Sequence, residues 1–343
     1  MPSFADRITA VKAAYGSKLA ILGHHYQSDA IIRHVDVKGD SLELARKIEG
    51  LAAEHVVFCG VFFMAESAAA LARPGQRIHI PRTDADCPMA EMAPAQRVEH
   101  VLTALNSRGR KVVPLTYVNS SAAVKAVCAR FGGSVCTSAN ASTMLAWARG
   151  QGEAVLFLPD KNLGNNTADQ LGIAPSKRLE LDIRAGGGKL DLERAAEAEL
   201  LLWPGCCAIH HKFKLHHVTE MRTARPGVSV IVHPECAPEV VQAADGAGST
   251  TFLIKHCAQA APGSVIAIGT ELNLVRRLAA YHAAEGKVIV PLKELTCSNM
   301  AKITEEGLAN MLEQLETATP VTLDPLVTQN SRLALERMLR ACA

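Results

Sequence analysis

The stretch Leu200-Leu201-Leu202-Trp203-Pro204-Gly205-Cys206-Cys207 joins a short apolar run to a turn and a pair of thiols. The three leucines are typical of a strand that is covered on both faces, as in a parallel sheet. Gly205 favours a turn directly after that strand, so the cysteines fall where the strand passes into a loop. At such a position a thiol is either buried apolar filling or a metal ligand.

Short β-branched runs of this kind alternate with helical patterns along the chain, which predicts an α/β fold with parallel strands. The predicted strands form three groups, at 18–23, 55–61 and 77–81, then at 111–116, 133–136, 154–159 and 199–203, and finally at 228–233, 249–255, 264–269 and 287–291. The predicted helices lie at 40–49, 65–72, 121–131, 139–149, 235–243 and 272–284.

The three groups resemble one another in how their strands end. The first strand of each is followed by a polar cluster, which is His24-His25-Tyr26, Tyr117-Val118-Asn119 or His233-Pro234-Glu235. The last strand of each is followed by a cysteine, which is Cys87, then Cys207 or its neighbour Cys206, and finally Cys297. We interpret the chain as three copies of one αβα unit.

We place these units at 1–91, 92–210 and 211–303. The second unit carries an insertion at about 175–198, which contains the glycines 186–188. A helical, amphipathic segment at 304–343 is expected to pack on the first unit.

The composition narrows the class of protein. The chain has 343 residues, a net charge of +2 and only 4% aromatic residues, so it favours neither a nucleic-acid partner nor a membrane surface. No apolar run reaches the roughly 18–20 residues of a membrane span, and residues 1–16 do not have the pattern of a signal peptide. We therefore expect a cytoplasmic protein whose ten cysteines are thiols rather than disulfides. No CxxC pair is present to indicate a zinc ribbon.

Ligands of open parallel sheets bind beyond the carboxyl ends of the strands. Units that face one another would therefore collect the polar clusters and the cysteines in one central site. Three thiolates without a fourth suit an iron–sulfur cluster with one open iron, or zinc with a bound water. Soft thiolate ligands favour the cluster. The small residues at 246–250 could cradle a phosphate or carboxylate, whereas residues 160–164 are predicted to form an ordinary turn.

Many short motifs between about residues 18 and 304 resemble, in sequence and in order, those of the quinolinate synthase family of de novo NAD biosynthesis. They are Gly-His-His-Tyr-Gln at 23–27, Gly-Asp-Ser-Leu at 39–42, Cys-Gly-Val-Phe-Phe-Met-Ala-Glu at 59–66, Asp-Cys-Pro-Met-Ala at 86–90, Tyr-Val-Asn-Ser-Ser-Ala at 117–122, Cys-Thr-Ser-Ala-Asn-Ala at 136–141, Leu-Pro-Asp-Lys-Asn-Leu-Gly at 158–164, Trp-Pro-Gly-Cys-Cys-Ala-Ile-His at 203–210, His-Pro-Glu-Cys at 233–236, Gly-Ser-Thr at 248–250, Ile-Gly-Thr-Glu at 268–271 and Cys-Ser-Asn-Met at 297–300.

The resemblance implies three homologous, Rossmann-like αβα domains in a pseudo-threefold arrangement around a central active site. It implies a transferase that condenses iminoaspartate with dihydroxyacetone phosphate to quinolinate, with release of phosphate and water. It also implies an oxygen-sensitive [4Fe–4S] cluster held by Cys87, Cys207 and Cys297, with Cys206 at a variable position. The iron without a protein ligand would act as a Lewis acid. The iminoaspartate would come from L-aspartate oxidase or aspartate dehydrogenase.

The same resemblance implies roles for particular side chains. The catalytic residues would be His24, Tyr26, Tyr117, His233 and Glu235, with Glu235 as a base that moves protons along the triose-derived carbon chain. Substrate would contact His24, Tyr117, His233 and Glu235 of this group and, in addition, Ser41, Asn119, Ser138 and Thr250. From the residues alone, Ser41 and Ser138 could equally be helix caps.

Two other functions are compatible with an open iron. One is an iron–sulfur hydro-lyase that acts on a small dicarboxylate and needs no phosphorylated triose. The other is a redox-sensing or iron-sensing cluster protein, which would need a partner surface that the balanced charge does not indicate.

Overall fold

Three parallel sheets with helices on their faces form the protein, in a computed structural model that describes residues 2–48, 50–183 and 190–342. The predicted α/β fold with three αβα units is thereby confirmed, while the glycines 186–188 lie outside the described residues. The strands are β1 Leu19–His24, β2 Val37–Gly39, β3 His55–Cys59, β4 Arg77–His79, β5 Val112–Tyr117, β6 Ser134–Cys136, β7 Ala154–Leu158, β8 Arg178–Glu180, β9 Leu200–Leu202, β10 Ser229–Val232, β11 Gly246–Ala247, β12 Val265–Gly269 and β13 Val288–Pro291.

The α-helices connect these strands and cover the sheets. They are α1 Phe4–Tyr15, α2 Asp29–Ile32, α3 Ser41–Ile48, α4 Phe62–Leu71, α5 Pro88–Glu91, α6 Ala95–Asn106, α7 Ala122–Arg130, α8 Ala141–Arg149, α9 Lys161–Gln170, α10 Leu192–Glu197, α11 Leu215–Ala224, α12 Pro238–Ala243, α13 Thr250–Gln259, α14 Leu272–His282, α15 Glu305–Glu313 and α16 Pro325–Ala341. None of the described helices combines the length and the hydrophobicity that a membrane span requires.

The three sheets share one strand order. The orders are β2-β1-β3-β4, then β6-β5-β7-β9 with β8 added at its edge, and then β11-β10-β12-β13. The central strands β1, β3, β5 and β7 are buried along their whole length, since helices cover both faces of a parallel sheet. The edge strand β8 comes from the predicted insertion and pairs with β9, with Leu179 opposite Leu201.

Two local predictions are wrong for the same physical reason, a side chain that caps a helix. The strand predicted at 249–255 is the start of α13, because the Ser249 hydroxyl accepts the Phe252 N–H. The second strand of that unit is instead the short β11. The turn predicted at 160–164 is the start of α9, because the Asp160 carboxylate accepts the N–H groups of Asn162 and Leu163.

The C-terminal helix α16 packs against α4 of the first unit and also against α7 and β6 of the second. Arg332 donates hydrogen bonds to the carbonyls of Ala70 and Ala72 at the end of α4. Arg337 donates to the carbonyls of Ala129 and Gly133 near the end of α7. The helix thus joins the first and second units. The domain boundaries themselves stay a prediction.

The units hold one another through side chains that bond to backbone carbonyls. On α9 of the second unit, Asn162 donates to the carbonyl of Glu235 at 3.2 Å. One turn further, Asn166 donates to the carbonyls of Pro234 at 2.8 Å and Cys236 at 2.9 Å. The loop that follows β10 of the third unit is therefore fixed by two asparagines of the second unit.

Side chains of helices also bond to backbone groups between the other units. On α14 of the third unit, Asn273 donates to the carbonyl of Tyr26 at 3.1 Å and Arg277 donates to that of His25 at 2.9 Å, in the loop that follows β1. On α4 of the first unit, Glu66 accepts the N–H of Ala122 at 3.1 Å, after β5 of the second unit. In each unit the helix after the third strand binds the loop after the first strand of the next unit. This cyclic pattern closes a pseudo-threefold ring.

We expect Asn166→Ala to weaken this ring, since it leaves two buried carbonyls without their donor. The expected loss is about 1–3 kcal/mol in the free energy of unfolding, measured by urea denaturation. The neighbouring Asn165→Ala is the matched control, because Asn165 is half-buried and bonds only weakly to Arg178. Equal losses in both variants would contradict the role of Asn166.

Candidate active site

A cavity lies where the carboxyl ends of the three sheets meet. Every residue that was selected from the sequence as catalytic, substrate-binding or metal-ligating lines it, although this position does not test their roles. These residues are His24, Tyr26, Ser41, Cys87, Tyr117, Asn119, Ser138, Cys207, His233, Glu235, Thr250 and Cys297. Parallel strands bring their carboxyl ends to one edge, which explains why residues so distant in sequence converge.

The polar clusters after β1 and β10 repeat one local geometry. In the first, the Nδ1 atom of His24 accepts the N–H of Tyr26 at 3.1 Å. In the third unit, the Nδ1 atom of His233 lies 3.4 Å from the N–H of Glu235. Burial lowers the pKa of His24 to about 3, so this imidazole is neutral near pH 7 and carries its proton on Nε2.

A continuous chain of contacts links a carboxylate to a phenol inside the cavity. Oε2 of Glu235 lies 2.6 Å from Nδ1 of His210 and 3.1 Å from Nδ1 of His233. Nε2 of His210 lies 3.1 Å from the Thr270 hydroxyl, which lies 2.7 Å from the Tyr26 hydroxyl. We call Glu235, His210, Thr270 and Tyr26 the relay.

The protonation states in the relay follow from burial and from the neighbouring charges. Burial alone would raise the pKa of Glu235, but the two adjacent imidazoles hold it well below its usual range, so the carboxylate is ionised. Burial raises the pKa of Tyr26 well above its usual value, so its phenol keeps its proton. The relay therefore runs from a proton acceptor to a proton donor.

The sequence analysis did not select His210 or Thr270 as site residues. Both stand in motifs that it quoted, Trp-Pro-Gly-Cys-Cys-Ala-Ile-His and Ile-Gly-Thr-Glu. Thr270 directly follows β12, which was the available signal for that residue, whereas His210 lies further along the loop after β9. Their contact with each other was not visible, since 60 residues separate them.

The three candidate ligand cysteines share a local turn. In each turn, the carbonyl of the cysteine accepts the N–H of the residue four positions later. The distances are 3.3 Å at Cys87, 3.0 Å at Cys207 and 3.0 Å at Cys297. Burial raises the pKa of each thiol. The N–H of the residue three positions later donates to the sulfur and lowers that pKa by a smaller amount. The net result raises the pKa of Cys87 to about 12. Without a metal these side chains are thiols. A bound metal would convert them to thiolates, to which the backbone N–H groups could then donate.

Two buried acids hold two of these cysteines in place. Oδ2 of Asp160 accepts the N–H of Cys207 at 3.0 Å, and the carboxylate of Glu271 accepts the N–H of Cys297. Both acids also cap the helix that follows their strand. Burial raises the pKa of Glu271 to about 7.

The loop around Cys207 leaves little freedom for its backbone. A Cβ atom on Gly205 would lie 2.4 Å from the Pro159 carbonyl oxygen, so only glycine fits there. The carbonyl of Gly205 also accepts the N–H of Lys161 at 2.9 Å. Cys207 lines the cavity, and its neighbour Cys206 does not.

A second donor set overlaps the cysteines. Ligand atoms of Cys207, His210 and Glu235 all lie within 4.8 Å of one another, a spacing that could hold a metal ion. Such an ion would take two members of the relay as ligands. The three thiols instead offer the soft donors that iron–sulfur clusters use and leave the relay intact. The residues present therefore fit a cluster on Cys87, Cys207 and Cys297.

A fold of parallel α/β units whose strand ends supply thiols and an acid–base chain to one cavity is the arrangement of an enzyme active site. Residues 6–340 match the family model described as quinolinate synthetase A protein. The chain is 45% identical to the quinolinate synthase of Streptomyces coelicolor, over 98% of this chain and 88% of that protein. It is 45% identical to that of a Nocardioides species, over 98% and 89%, and 43% identical to that of Geobacillus kaustophilus, over 97% and 92%. The chain belongs to the quinolinate synthetase A family.

Proposed function

We propose that this chain forms quinolinate from iminoaspartate and dihydroxyacetone phosphate, releasing phosphate and water, as a transferase of NAD biosynthesis. Family membership supports the product. The observation that best supports the proposal is the composition of the active-site cavity. All three units contribute acid–base groups and thiols to its lining. An L-aspartate oxidase or an aspartate dehydrogenase would supply the unstable imine.

Hydroxyl groups at equivalent places in the three units suit the anionic ends of both substrates. Ser41, Ser138 and Thr250 follow β2, β6 and β11 and stand at or near the starts of α3, α8 and α13. The Thr250 hydroxyl is buried and has no hydrogen-bond partner among the described residues. A buried hydroxyl of this kind is costly unless a ligand oxygen completes its bonding. Asn119 adds an amide donor on the same cavity wall.

The relay supplies proton transfer. Burial lowers the pKa of His210, so its imidazole is neutral. Tyr26 donates its proton to an oxygen of the triose-derived fragment and recovers one from Nε2 of His210 through Thr270, while Nδ1 of His210 takes up a proton that Glu235 has removed from the carbon chain. Beside it, His233 and the ionised Glu235 take protons from the carbon chain, so the cavity holds an acid and a base at once.

Cys87, Cys207 and Cys297 would hold the [4Fe–4S] cluster. When bound, a cluster with one iron free of protein ligands supplies a Lewis acid for the loss of hydroxyl. Asp160 and Glu271 fix the backbones of Cys207 and Cys297, and the apolar Met64 and Met300 on the cavity wall limit water.

The experiment is turnover by anaerobically purified protein, with iminoaspartate generated in the assay by an L-aspartate oxidase. We expect quinolinate and inorganic phosphate to appear in equal amounts and only when dihydroxyacetone phosphate is present. Dehydration of a small dicarboxylate without the triose would favour the hydro-lyase instead. A cluster-loaded protein with no turnover at all would favour the sensor.

A pair of cysteine variants tests the ligand set. Cys207→Ser is expected to lose nearly all bound iron, measured per chain after anaerobic reconstitution, whereas Cys206→Ser keeps it. Equal losses would mean that the wrong thiol of the pair is assigned. Iron that survives Cys87→Ser but is lost in His210→Ala would favour the Cys207, His210 and Glu235 set.

The relay is tested at its central hydroxyl. Thr270→Val keeps the shape of the side chain but breaks the link between Tyr26 and His210, so we expect kcat to fall by about 10²-fold or more. Thr270→Ser retains the hydroxyl and should recover most of the rate. A Thr270→Val enzyme with the wild-type kcat and the wild-type iron content would rule out the relay.

A further inference from the structure

A lysine is buried behind the polar cluster of the second unit. Lys125 lies on α7, and its side chain is fully buried. It belongs neither to the relay nor to the cysteine loops, and it does not line the active-site cavity. A buried ammonium group is costly unless close contacts compensate for its lost hydration. The contacts of Lys125 therefore indicate what its charge does.

The ammonium group of Lys125 lies at the boundary between the first two units. It donates a hydrogen bond to the carbonyl of Ser120 and lies 5.5 Å from the centre of the Phe63 ring on α4. Glu66, also on α4, accepts the N–H of Ala122 at the start of α7 at 3.1 Å. Burial lowers the pKa of Lys125 to about 8, and the carboxylate of Glu66 counteracts part of that shift. At pH 7 the ammonium group therefore remains mostly charged.

The carbonyl that Lys125 binds belongs to a tight turn. The carbonyl of Val118 accepts the N–H of Ser120 at 2.8 Å, which closes a turn with Asn119 at its centre. The Ser120 hydroxyl donates to the carbonyl of Tyr117 at 2.9 Å. Ser120 is fully buried, whereas Asn119 is half-buried and lines the active-site cavity. The turn thus presents Asn119 to the cavity from a base that Lys125 holds.

The other two units support the equivalent position in a different way. Their first strand is followed or ended by a histidine whose Nδ1 atom faces the N–H two positions later, at Tyr26 or Glu235. The second unit has Tyr117 in place of this histidine. A phenol ring has no acceptor atom at the position of Nδ1. Asn119 therefore lacks the imidazole contact that its counterparts have.

We propose that Lys125 is a positioning residue that replaces this imidazole contact and holds Asn119 in the orientation in which its amide binds substrate. The inference rests on the proposed function, in which the Asn119 amide donates to a ligand on the cavity wall. Lys125 acts through the carbonyl of Ser120. Because little water competes for that carbonyl, the buried ammonium group fixes it firmly.

The first test measures the order of the turn and does not depend on the reaction. Lys125→Met keeps an unbranched side chain of similar length but removes the donor to Ser120. We expect amide hydrogen exchange at Ser120, whose N–H closes the turn, to become about tenfold faster.

A second buried lysine provides the matched control for this test. Lys287 donates to the carbonyls of Cys257 at 2.9 Å and Ala258 at 3.0 Å, and none of these residues lines the active-site cavity. Lys287→Met should leave exchange at Ser120 unchanged. Equal acceleration in both variants, or acceleration in neither, would overturn the role of Lys125.

The second test measures the binding of quinolinate to cluster-loaded protein by titration calorimetry. Asn119→Ala and Lys125→Met should each raise the Kd of quinolinate by about tenfold, the effect of one lost hydrogen bond. Because Lys125 acts through Asn119, the double variant should bind no more weakly than Asn119→Ala alone. Lys287→Met should keep the wild-type Kd. Losses that multiply in the double variant would overturn the proposal, as would a loss of bound iron in Lys125→Met.

Removal of Lys125 alone leaves the buried Glu66 without its compensating charge and lowers stability. Where Lys125→Met does not fold, Lys125→Met combined with Glu66→Gln takes its place in both tests. This variant removes both charges, and the new amide oxygen can still accept the N–H of Ala122. Glu66→Gln alone is then the reference protein.

The two proposals fail in different ways. A wild-type enzyme that neither forms nor binds quinolinate contradicts the proposed function. A wild-type enzyme that forms quinolinate, with a Lys125→Met variant that binds it equally tightly, contradicts the role of Lys125 alone.

Discussion

The helix after the third strand of each unit bonds to the loop after the first strand of the next, and the rest of the structure depends on this contact. Asn166, Asn273 and Glu66 each act on the backbone of a neighbouring unit. The bound segments follow His24 at the end of β1 and Tyr117 at the end of β5, and the third bound loop contains His233. The contact that builds the ring therefore also orients the site. Stability and site geometry therefore share one set of hydrogen bonds.

Closure of the ring buries charge, and the site is organised to compensate for that burial. An isolated carboxylate as deeply buried as Glu235 would be neutral, but two imidazoles keep it ionised. Asp160 and Glu271 are likewise buried, and they satisfy backbone N–H groups of helix starts and of cysteine loops. Each buried acid thus has its own task. Glu235 takes part in proton transfer, whereas Asp160 and Glu271 each fix the position of a thiol.

Local signals predicted much of the fold and failed where two of them competed. The apolar runs at β1, β5, β7 and β12 were recognised, because strands buried on both faces are continuously hydrophobic. The run at 249–255 is just as β-branched, but the Ser249 cap and the helical spacing of Leu253 and Cys257 made it a helix. The short β2 and β11 were missed, since two or three residues carry no measurable periodicity.

The sequence by itself determined which residues stand at the strand ends, including the cysteines and the polar clusters, because strand, turn and cap propensities act over a few neighbouring positions. Only the tertiary structure decided which of them touch. Tyr26 meets Thr270, and Asp40 meets Thr251, across 244 and 211 residues. The contacts that bring them together are made largely to backbone carbonyls, which every residue has, so no side-chain pattern in the sequence announces them.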